Sequence, residues 1–316
     1  MKISIFSPML MAATATAIST RQLWQFPNET MIENIAVRPN GRILFNTFVD
    51  ARMYTLDPRR PCHPVIAAQI PGKTALTGIA EVAPDKFAVG AGILGNFAFA
   101  DNSSSIWLVD FAKPTDLLPA SVSWVANVPE AAIFNGIVAL PKYPHIVLTS
   151  DSIKGTIYRI DTTNGKVDVA FADPKLAIGS DPLTPLGING MKIYDGYLYF
   201  AQSAQGYFGR LRISDKGDKI GPIEKLATVP AGSAGYDDFA MTKHGVSYVT
   251  DHPYTVTRIA ADGTQTELIG AGNVPKLYNP TSAALNRDET KLYIVTDGAT
   301  LSGGTTGGQV IEVDLR

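Results

Sequence analysis

Ile188-Asn189-Gly190-Met191-Lys192 is one of six similar short segments that recur along this 316-residue chain. The other five segments occupy residues 32–36 (IENIA), 76–80 (LTGIA), 134–138 (FNGIV), 236–240 (YDDFA) and 279–283 (NPTSA). The second residues of successive segments are 44, 58, 54, 48 and 43 positions apart, which is the length range of one four-stranded propeller blade. The repeat therefore predicts an all-β fold, a six-bladed β-propeller in which each segment forms the innermost strand of a blade.

The residues that follow each segment support this prediction. A second stretch, rich in β-branched and aromatic residues, occupies residues 43–46, 87–90, 146–149, 198–201, 247–250 and 292–295. A third stretch of similar composition occupies residues 53–57, 106–110, 157–161, 209–213, 256–259 and 310–314. Weaker outer strands are also visible, and no long stretch has helical periodicity, so the pattern favours strands throughout.

The last repeat lacks an outer strand, because only 36 residues follow Pro280 and the chain ends on a third strand. Residues 21–26 (RQLWQF) precede the first inner strand and can supply the missing one. Such a closure would remove the two open sheet edges that otherwise invite aggregation. We therefore expect residues 19–316 to form a single propeller domain closed by an N-terminal strand.

Residues 1–18 combine Lys2, an apolar run at 3–13 and a small-residue site at 15–17 (ATA), which is the pattern of a secretory signal peptide. This pattern predicts entry into the secretory pathway or secretion. Pro8 and the single lysine depart from it, so a short apolar arm packed against the propeller is the alternative. No other run approaches the roughly 20 apolar residues of a membrane span, and none is expected.

Composition limits the possible partners. The net charge is −2 and no basic stripe is present, so nucleic acid is not an expected partner. Cys62 is the only cysteine, which excludes an internal disulfide and is typical of a turn residue between blades. An apolar small molecule is the partner that we expect.

Chemistry in a propeller is expected where the starts of the inner strands converge on the axis. The polar residues at these positions are Glu33, Thr77, Asn135, Asn189, Asp237 or Asp238, and Thr281. Oxygen ligands from several chain segments suit a hard cation such as calcium or magnesium, and they equally suit a polar substrate pocket.

Loops at the same end of the strands contain material for such a pocket. The aromatic residues are Phe97, Phe99, Phe134, Tyr207, Phe208, Tyr236, Tyr254 and Tyr278, and the hydrogen-bond donors are Asn135, Asn189, Gln202 and His252. Packing between blades is the alternative role for about half of these aromatic side chains. The Gly- and Ser-rich loops at 92–105 and 296–308 are interpreted either as lids or as surface hairpins.

Single ionisable residues have alternative roles as well. His252 follows Asp251, so it is a candidate acid or base, or else a simple hairpin residue. Asp151, Asp251 and Asp297 end equivalent second strands. This recurrence predicts that all three carboxylates cap the turns of their hairpins.

Glu33, the stretch Asn135-Gly136 and the stretch Asn189-Gly190 resemble the senescence-marker-protein/gluconolactonase family of regucalcin-like, six-bladed propellers. In that family a glutamate, an asparagine and an aspartate bind one divalent metal, which polarises a lactone carbonyl. The resemblance implies metal ligands at Glu33, Asn135 and Asn189. Since Asn189 stands where the catalytic aspartate is expected, and an amide is no general base near pH 7, it implies no cofactor or a weakly bound calcium ion. Asp237 or Asp238 could supply the missing carboxylate.

The opening stretch at 33–41 (ENIAVRPNG) is similar to that of secreted fungal propellers of secondary metabolism. Some members are intermolecular hetero-Diels–Alderases, which join a tropolone-derived quinone methide to a terpene alkene. Such a reaction needs no metal and no nucleophile, but an apolar cavity that orients both partners and a few donors to the quinone oxygen. We predict polar anchors or catalytic residues at Glu33, Asn135, Asn189, Asp237 and His252, and substrate-binding residues at Thr77, Phe134, Gln202, Tyr207, Tyr236 and Tyr278.

Three function classes therefore remain open. The first is a pericyclase of the hetero-Diels–Alderase type, acting in a terpenoid pathway. The second is a metal-dependent, gluconolactonase-like lactone hydrolase. The third is a non-enzymatic propeller that binds a small molecule. The fold alone does not choose among them.

Overall fold

The computed structural model describes residues 18–27, 29–95, 98–111, 119–180, 182–272, 275–301 and 304–316. The predicted signal peptide therefore lies outside the described residues apart from Ile18, and so does Phe97. Apart from the short 3-10 turn Pro174–Leu176, the regular structure of these residues is β-strand. No helix among them is long and apolar enough to cross a membrane.

The strands form six antiparallel, four-stranded sheets, each of which is one blade. The first strand, β1 (Thr20–Gln25), belongs to the last blade. From the axis outwards, blade 1 consists of β2 (Ile32–Val37), β3 (Ile43–Thr47), β4 (Arg52–Leu56) and β5 (Val65–Gln69). Blade 2 consists of β6 (Ala75–Ala83), β7 (Lys86–Gly92), β8 (Ser105–Asp110) and β9 (Ser121–Asn127). Blade 3 consists of β10 (Phe134–Leu140), β11 (Tyr143–Asp151), β12 (Thr156–Asp161) and β13 (Val167–Ala172).

The second half of the chain repeats the same order. Blade 4 consists of β14 (Ile188–Tyr194), β15 (Tyr197–Gln202), β16 (Tyr207–Ile213) and β17 (Lys219–Thr228). Blade 5 consists of β18 (Gly235–Met241), β19 (Ser247–His252), β20 (Thr255–Ile259) and β21 (Gln265–Ile269). The last blade contains β22 (Pro280–Leu285) and β23 (Lys291–Thr296), and after a small hairpin of β24 (Ala299–Leu301) and β25 (Gly304–Thr306), β26 (Gln309–Asp314). The six predicted inner segments thus coincide with β2, β6, β10, β14, β18 and β22.

The ring is closed by the N-terminal strand, as the sequence predicts. β1 pairs antiparallel with β26, with Thr20 opposite Val313 and Gln25 opposite Gln309. Inside the ring the inner strands contact one another in succession, and β22 contacts β2 to complete the circle. Both the outer and the inner edges of the last blade are therefore joined to the start of the chain.

The glycine in the repeated segment allows the inner strands to approach one another near the axis. A Cβ atom added to Gly136 would lie 2.4 Å from the carbonyl oxygen of Asn189, and one added to Gly78 would lie 2.4 Å from that of Asn135. Any side chain at these positions would collide with the backbone of the next blade. The repeated glycine is thus explained by inter-blade packing.

The inner strands also carry an irregularity at the repeated segment. The pairing register shifts between Leu76 and Ile79, between Phe134 and Ile137, between Ile188 and Met191, and between Tyr236 and Phe239. A bulge of this kind removes residues from the hydrogen-bonded ladder and redirects their side chains. The polar side chains in these four segments therefore need not follow the alternation of a regular strand, in which successive side chains point to opposite faces.

One carboxylate on the axis links four blades. Asp238 of blade 5 accepts hydrogen bonds from Asn34 Nδ2 at 3.0 Å, Ser282 Oγ at 3.0 Å and its neighbouring amide, Phe239 N, at 2.7 Å. Its ionic partner is Lys192, whose Nζ lies 2.8 Å from Asp238 Oδ1. Because Asp238 is 3% exposed and its two oxygens have these four partners, its desolvation is offset by charge and hydrogen bonding.

We expect Asp238→Asn to lower the free energy of unfolding by about 2 kcal/mol, because the change leaves the Lys192 ammonium facing an amide. Chemical denaturation followed by tryptophan fluorescence measures this loss. The control is Asp215→Asn, which breaks the solvent-exposed pair with Lys142 and is expected to have little effect. Equal losses in the two variants would show that the axial network does not stabilise the ring.

We expect a chain that lacks residues 1–27 to aggregate, since its loss of β1 exposes the edge of β26. A chain that lacks only residues 1–18 keeps β1 and is expected to remain soluble and monomeric. Size-exclusion chromatography and light scattering of the two truncated proteins measure the difference. A monomeric, cooperatively folding protein without residues 1–27 would contradict the role assigned to β1.

Candidate active site

A cavity of about 290 Å³ lies on the axis, at the end where the inner strands begin. Its polar wall contains Glu33, Asn189, Asp237, His252 and Asp297. Its apolar wall contains Met31, Phe48, Pro185, Leu186 and Tyr236. A larger cavity of about 840 Å³ opens where Val37 ends β2, at the opposite end of the axis, and none of the predicted site residues lines it. We therefore take the smaller cavity as the candidate site.

His252 and Asp237 form the one hydrogen-bonded pair of ionisable side chains described in this cavity. His252 Nε2 lies 3.0 Å from Asp237 Oδ2. Burial opposes the charged imidazole, but the hydrogen bond to Asp237 and the surrounding carboxylates outweigh it and raise the pKa of His252. Burial raises the pKa of Asp237, and the hydrogen bond from His252 limits that rise. The pair is therefore suited to hold a proton in the cavity.

Glu33 and Asp297 are the other two carboxyl groups of the cavity. Burial, with the charges of Asp237, Asp297 and Asp238 added to it, raises the pKa of Glu33 well above its usual value. Burial also raises the pKa of Asp297 to about 7, and the positive charge of His252 limits the rise. The Oδ1 atom of Asp297 is buried without a hydrogen-bond partner. Both groups are thus held largely as neutral acids in mildly acidic solution.

Asn189 contributes a free acceptor to the same cavity. Its Nδ2 donates to Ser203 Oγ at 3.1 Å, and Ser203 Oγ in turn donates to the carbonyl oxygen of Tyr236. This chain of donors orients the amide, while Asn189 Oδ1 is buried with no hydrogen-bond partner in the protein. A buried acceptor without a partner is costly, so this atom is available to a ligand.

The sequence left open whether Asp237 or Asp238 belongs to the site, and the structure separates them. Tyr236 pairs with Asp251 and Phe239 pairs with Val249, so the two aspartates occupy the bulge between these pairs. Asp237 lines the cavity, whereas Asp238 lies in the axial network with Lys192. One aspartate therefore faces the site and the other holds the ring together.

The oxygen atoms of the cavity allow a test of the metal hypothesis. Among the described residues no three His, Cys, Asp or Glu side chains converge as a metal site. A mixed set is still present, because Glu33, Asn189 and Asp237 line one cavity and Asn189 Oδ1 has no partner. These three would hold a hard cation such as calcium. Asn135, which the resemblance implies as a ligand, does not line the cavity.

Five further predicted residues lie outside the cavity lining. They are Thr77, Phe134, Gln202, Tyr207 and Tyr278. Gln202 Nε2 donates to the carbonyl oxygen of Ala177 at 2.8 Å, and Tyr207 OH donates to that of Lys175 at 3.0 Å. Both side chains thereby fix the 3-10 turn. Phe134 packs edge to face on Tyr158, and its ring is fully buried.

Thr77 and Asn135 are buried on inner strands, while Tyr278 is half-buried beside β26. Thr77 Oγ1 and Asn135 Oδ1 have no hydrogen-bond partner within the protein. The backbone N–H of Tyr278 donates to Gln309 Oε1 at 3.1 Å. Tyr236, in contrast, belongs to the cavity wall as expected, and so do Glu33, Asn189, Asp237 and His252.

The hairpin aspartates do not share one role. Asp151 caps its turn, since its Oδ1 accepts from Ile153 N at 3.0 Å and Lys154 N at 3.1 Å. Asp251 accepts a hydrogen bond from Ser233 Oγ. Asp297 departs from the expected turn-capping role because it lines the cavity and its Oδ1 has no partner. The three aspartates hold equivalent positions in the sequence, and this equivalence did not reveal that the environment of Asp297 differs.

Apart from Tyr236, the apolar wall was not predicted from the sequence. Phe48 comes from the β3–β4 loop, and Pro185 and Leu186 come from the long loop before β14. These residues have no counterpart in the repeated segment. Their only signal in the sequence is their position, close to the start or end of a strand at the same end of the propeller.

Solved structures show the class of this fold. Regucalcin from Agrobacterium tumefaciens superposes with a TM-score of 0.63 at 17% identity, covering 95% of this chain and 96% of that one. A gluconolactonase from Xanthomonas campestris superposes with a TM-score of 0.62 at 12% identity, covering 95% of this chain and 90% of that one. The chain has the regucalcin and gluconolactonase type of six-bladed propeller.

Two curated proteins are similar in sequence, whereas no protein-family model matches the chain. A candidate hetero-Diels-Alderase of Sarocladium schorii, asR5, is 28% identical over an alignment of 327 residues that covers 90% of this chain and 79% of that protein. A candidate hetero-Diels-Alderase from Phoma sp. is 27% identical over 313 residues, covering 88% of this chain and 86% of that protein. The similarity to these fungal proteins thus extends over most of the chain.

We expect Asp297→Asn to change the pH dependence of stability. A carboxyl group whose pKa is raised on folding takes up a proton, so its contribution to stability falls as the pH rises. The stability of the wild type relative to Asp297→Asn should therefore fall by on the order of 1 kcal/mol or more between pH 4 and pH 7, and level off above pH 7. Denaturant titrations at several pH values measure it.

The control for this series is Asp161→Asn. Burial opposes ionisation of Asp161, but hydrogen bonds from Thr163 outweigh it and lower the pKa of Asp161. Its contribution to stability is present above the unfolded pKa and is lost as the pH falls, which is the opposite sign. Parallel curves for wild type and Asp297→Asn across pH 4–7 would contradict the raised pKa of Asp297.

Proposed function

We propose that this chain is an enzyme of fungal secondary metabolism, an intermolecular hetero-Diels–Alderase that joins a tropolone-derived quinone methide to a terpene alkene. The proposal is supported by the similarity to two candidate hetero-Diels-Alderases over most of the chain. The observation that carries it is a cavity in which buried carboxyl groups, whose pKa values burial raises, face an apolar wall. No nucleophile or redox group is needed for this reaction.

The reaction requires that two partners meet in one orientation. In a hetero-Diels–Alder reaction a conjugated C=C–C=O unit and an alkene form two new σ-bonds in a ring, with no leaving group and no net proton transfer. Holding the partners in register supplies a large part of the barrier reduction. The wall formed by Met31, Phe48, Leu186 and Tyr236 suits the hydrocarbon parts of such partners.

The polar wall can activate the oxygen-bearing partner. A carboxylic acid that burial keeps neutral can donate a hydrogen bond to an oxygen on which negative charge develops. Glu33 is the first candidate for this donor and Asp297 the second, because burial raises the pKa of both. Burial opposes the charged imidazole of His252, but its hydrogen bond to Asp237 and the surrounding carboxylates outweigh burial and raise the pKa of His252, which favours a positive charge on the same wall. Donation to the carbonyl oxygen makes the conjugated unit more electron-poor and therefore more reactive.

A metal-dependent lactone hydrolase is the second candidate function. It is favoured by the shared cavity of Glu33, Asn189 and Asp237 and by the free Oδ1 of Asn189. A divalent cation held there would polarise a lactone carbonyl. In that case Asp237, hydrogen-bonded to His252, would accept the proton of the attacking water. Glu33 would then have to be ionised rather than neutral.

The cycloaddition requires Glu33 as a neutral acid, whereas the metal hydrolase requires it as a carboxylate. Substitutions of Glu33 therefore distinguish the two functions. With a tropolone-type quinone-methide precursor and a humulene-like alkene, we expect Glu33→Ala to lower the rate of adduct formation about 10²-fold. Glu33→Gln, which keeps a donor of the same shape, should retain most of the rate. Chelators should leave turnover and product stereochemistry unchanged. Chromatography on a chiral phase measures the yield and the stereoisomer ratio.

The control variant is His244→Gln, which changes an exposed turn histidine and should leave the rate unchanged. A metal hydrolase would behave differently, since a neutral glutamine is a poorer ligand than a carboxylate. Equal loss in Glu33→Ala and Glu33→Gln, together with chelator-sensitive cleavage of a lactone, would replace the first proposal by the second. No effect of the enzyme on either reaction would favour a binding propeller.

Secretion and cofactor content belong to the same proposal. The pattern of residues 1–18 supports secretion, and the proposed cycloaddition needs no cofactor. A weakly bound calcium ion belongs to the hydrolase alternative. The N-terminal sequence of the protein recovered from its native host would show whether this segment is cleaved.

A further inference from the structure

The candidate cavity is small for a reaction between two molecules. Pockets that enclose one drug-sized ligand have volumes of roughly 300–1,000 Å³. The cavity of about 290 Å³ lies at the lower limit of that range. If one partner occupies it, a large part of the second partner must lie outside, against the surface that surrounds the mouth.

An apolar surface adjoins the cavity on one side. It consists of Phe48, Leu94, Ile153 and Leu186, which are all half-buried, and we call it the apolar ledge. The four side chains pack against one buried cluster that includes Phe99, Ile133 and Phe134. Phe48, Leu94 and Ile153 each follow a strand end that pairs with the start of an inner strand, and Leu186 precedes the inner strand β14, so all four lie at the mouth end of the propeller.

The ledge extends from the cavity over the neighbouring blades. Phe48 and Leu186 line the cavity, whereas Leu94 and Ile153 do not. Leu94 follows β7 of blade 2, and Ile153 lies in the hairpin between β11 and β12 of blade 3. The ionisable residues of the cavity, Glu33, Asp237, His252 and Asp297, come from blades 1, 5 and 6. Leu94 and Ile153, in blades 2 and 3, therefore lie towards the uncharged side of the mouth.

We infer that the apolar ledge is the binding site for the hydrocarbon partner, the alkene, of the reaction. This inference rests on the proposed function. The oxygen-bearing partner then lies in the cavity against Glu33, Asp297 and His252, and the alkene lies across Phe48 and Leu186 and reaches Leu94 and Ile153. Phe48 and Leu186, which belong to both the cavity wall and the ledge, favour this occupant, because an apolar molecule on the ledge lies directly beside a partner held in the cavity.

The N-terminal segment of the chain is a less favoured occupant of the ledge. Thr20 pairs with Val313 and Gln25 pairs with Gln309, so β1 runs from the opposite end of the propeller towards the mouth. Residue 18 therefore lies at the end away from the ledge. A hydrophobic ligand that arrives from solution meets no such constraint.

The test uses Leu94→Ala and Ile153→Ala, singly and together, because both residues lie outside the cavity lining. Cyclododecene serves as an apolar ring probe, and equilibrium dialysis followed by gas chromatography measures its binding. From the apolar area removed, we expect the double variant to bind the probe about tenfold more weakly. It should also raise the KM for the alkene by a similar factor, with the KM for the oxygen-bearing partner and kcat nearly unchanged.

The matched control is the double variant Leu108→Ala and Val167→Ala. These residues are also half-buried and pack against the same cluster, but they lie nearer the other end of blades 2 and 3. They should therefore reproduce any loss of stability without affecting the probe. Leu94→Met and Ile153→Leu keep the apolar surface and should restore binding.

The outcomes separate this inference from the proposed function. Weaker probe binding in the ledge variant alone supports the ledge, even if no cycloaddition is detected and the proposed function fails. Probe binding that is absent in the wild type, or equal in the ledge and control variants, overturns the ledge even if the enzyme forms the adduct.

Discussion

The contact of Asp238 with three other blades is the interaction on which the arrangement at the axis depends. A six-bladed ring has little material at its centre, and its inner strands must approach closely without an apolar core between them. The glycines of the repeated segment permit this approach, as at Gly136, where the next backbone lies too near for a Cβ atom. Asp238, with Lys192, Asn34 and Ser282, supplies directional bonds where dispersion contacts are few.

The same geometry explains why the candidate site is at the mouth of the ring. A register shift in each inner strand, including those between Ile32 and Asn34 and between Pro280 and Ser282, releases polar side chains from the sheet. The bulge in blade 5 directs Asp237 to the cavity, while Asp238 joins the axial network. Several carboxyl groups then lie close together in a desolvated space. Burial and like charges raise their pKa values, which is a costly arrangement and one typical of functional sites.

The protonation state of the carboxyl groups in that cavity distinguishes the possible reactions better than the fold does. A propeller of this type can accommodate unrelated reactions. If the acids hold protons, they donate hydrogen bonds to a carbonyl oxygen beside an apolar wall. If a cation displaces those protons, the same oxygens become ligands. Glu33 is decisive because burial raises its pKa, which favours the neutral acid when no cation is present. The apolar wall formed by Phe48 and Leu186 is better explained when the acids are protonated and the reacting partners are largely hydrocarbon.

The sequence by itself determined the number of blades, the inner strands and the closure by residues 21–26, because hydrophobic alternation and a repeated glycine are local signals of sheet and close packing. It also placed Glu33, Asn189, Tyr236, His252 and one of Asp237 and Asp238 near one another, since equivalent positions in a ring converge on its axis. Only the tertiary structure decided between Asp237 and Asp238, because a bulge sets the direction of each side chain. It alone moved Asp297 from a turn cap to the cavity and placed Tyr207 and Gln202 under the 3-10 turn. Those roles depend on loops such as the one that contains Leu186. Long-range contacts set the path of such a loop, and no periodic pattern in the sequence predicts it.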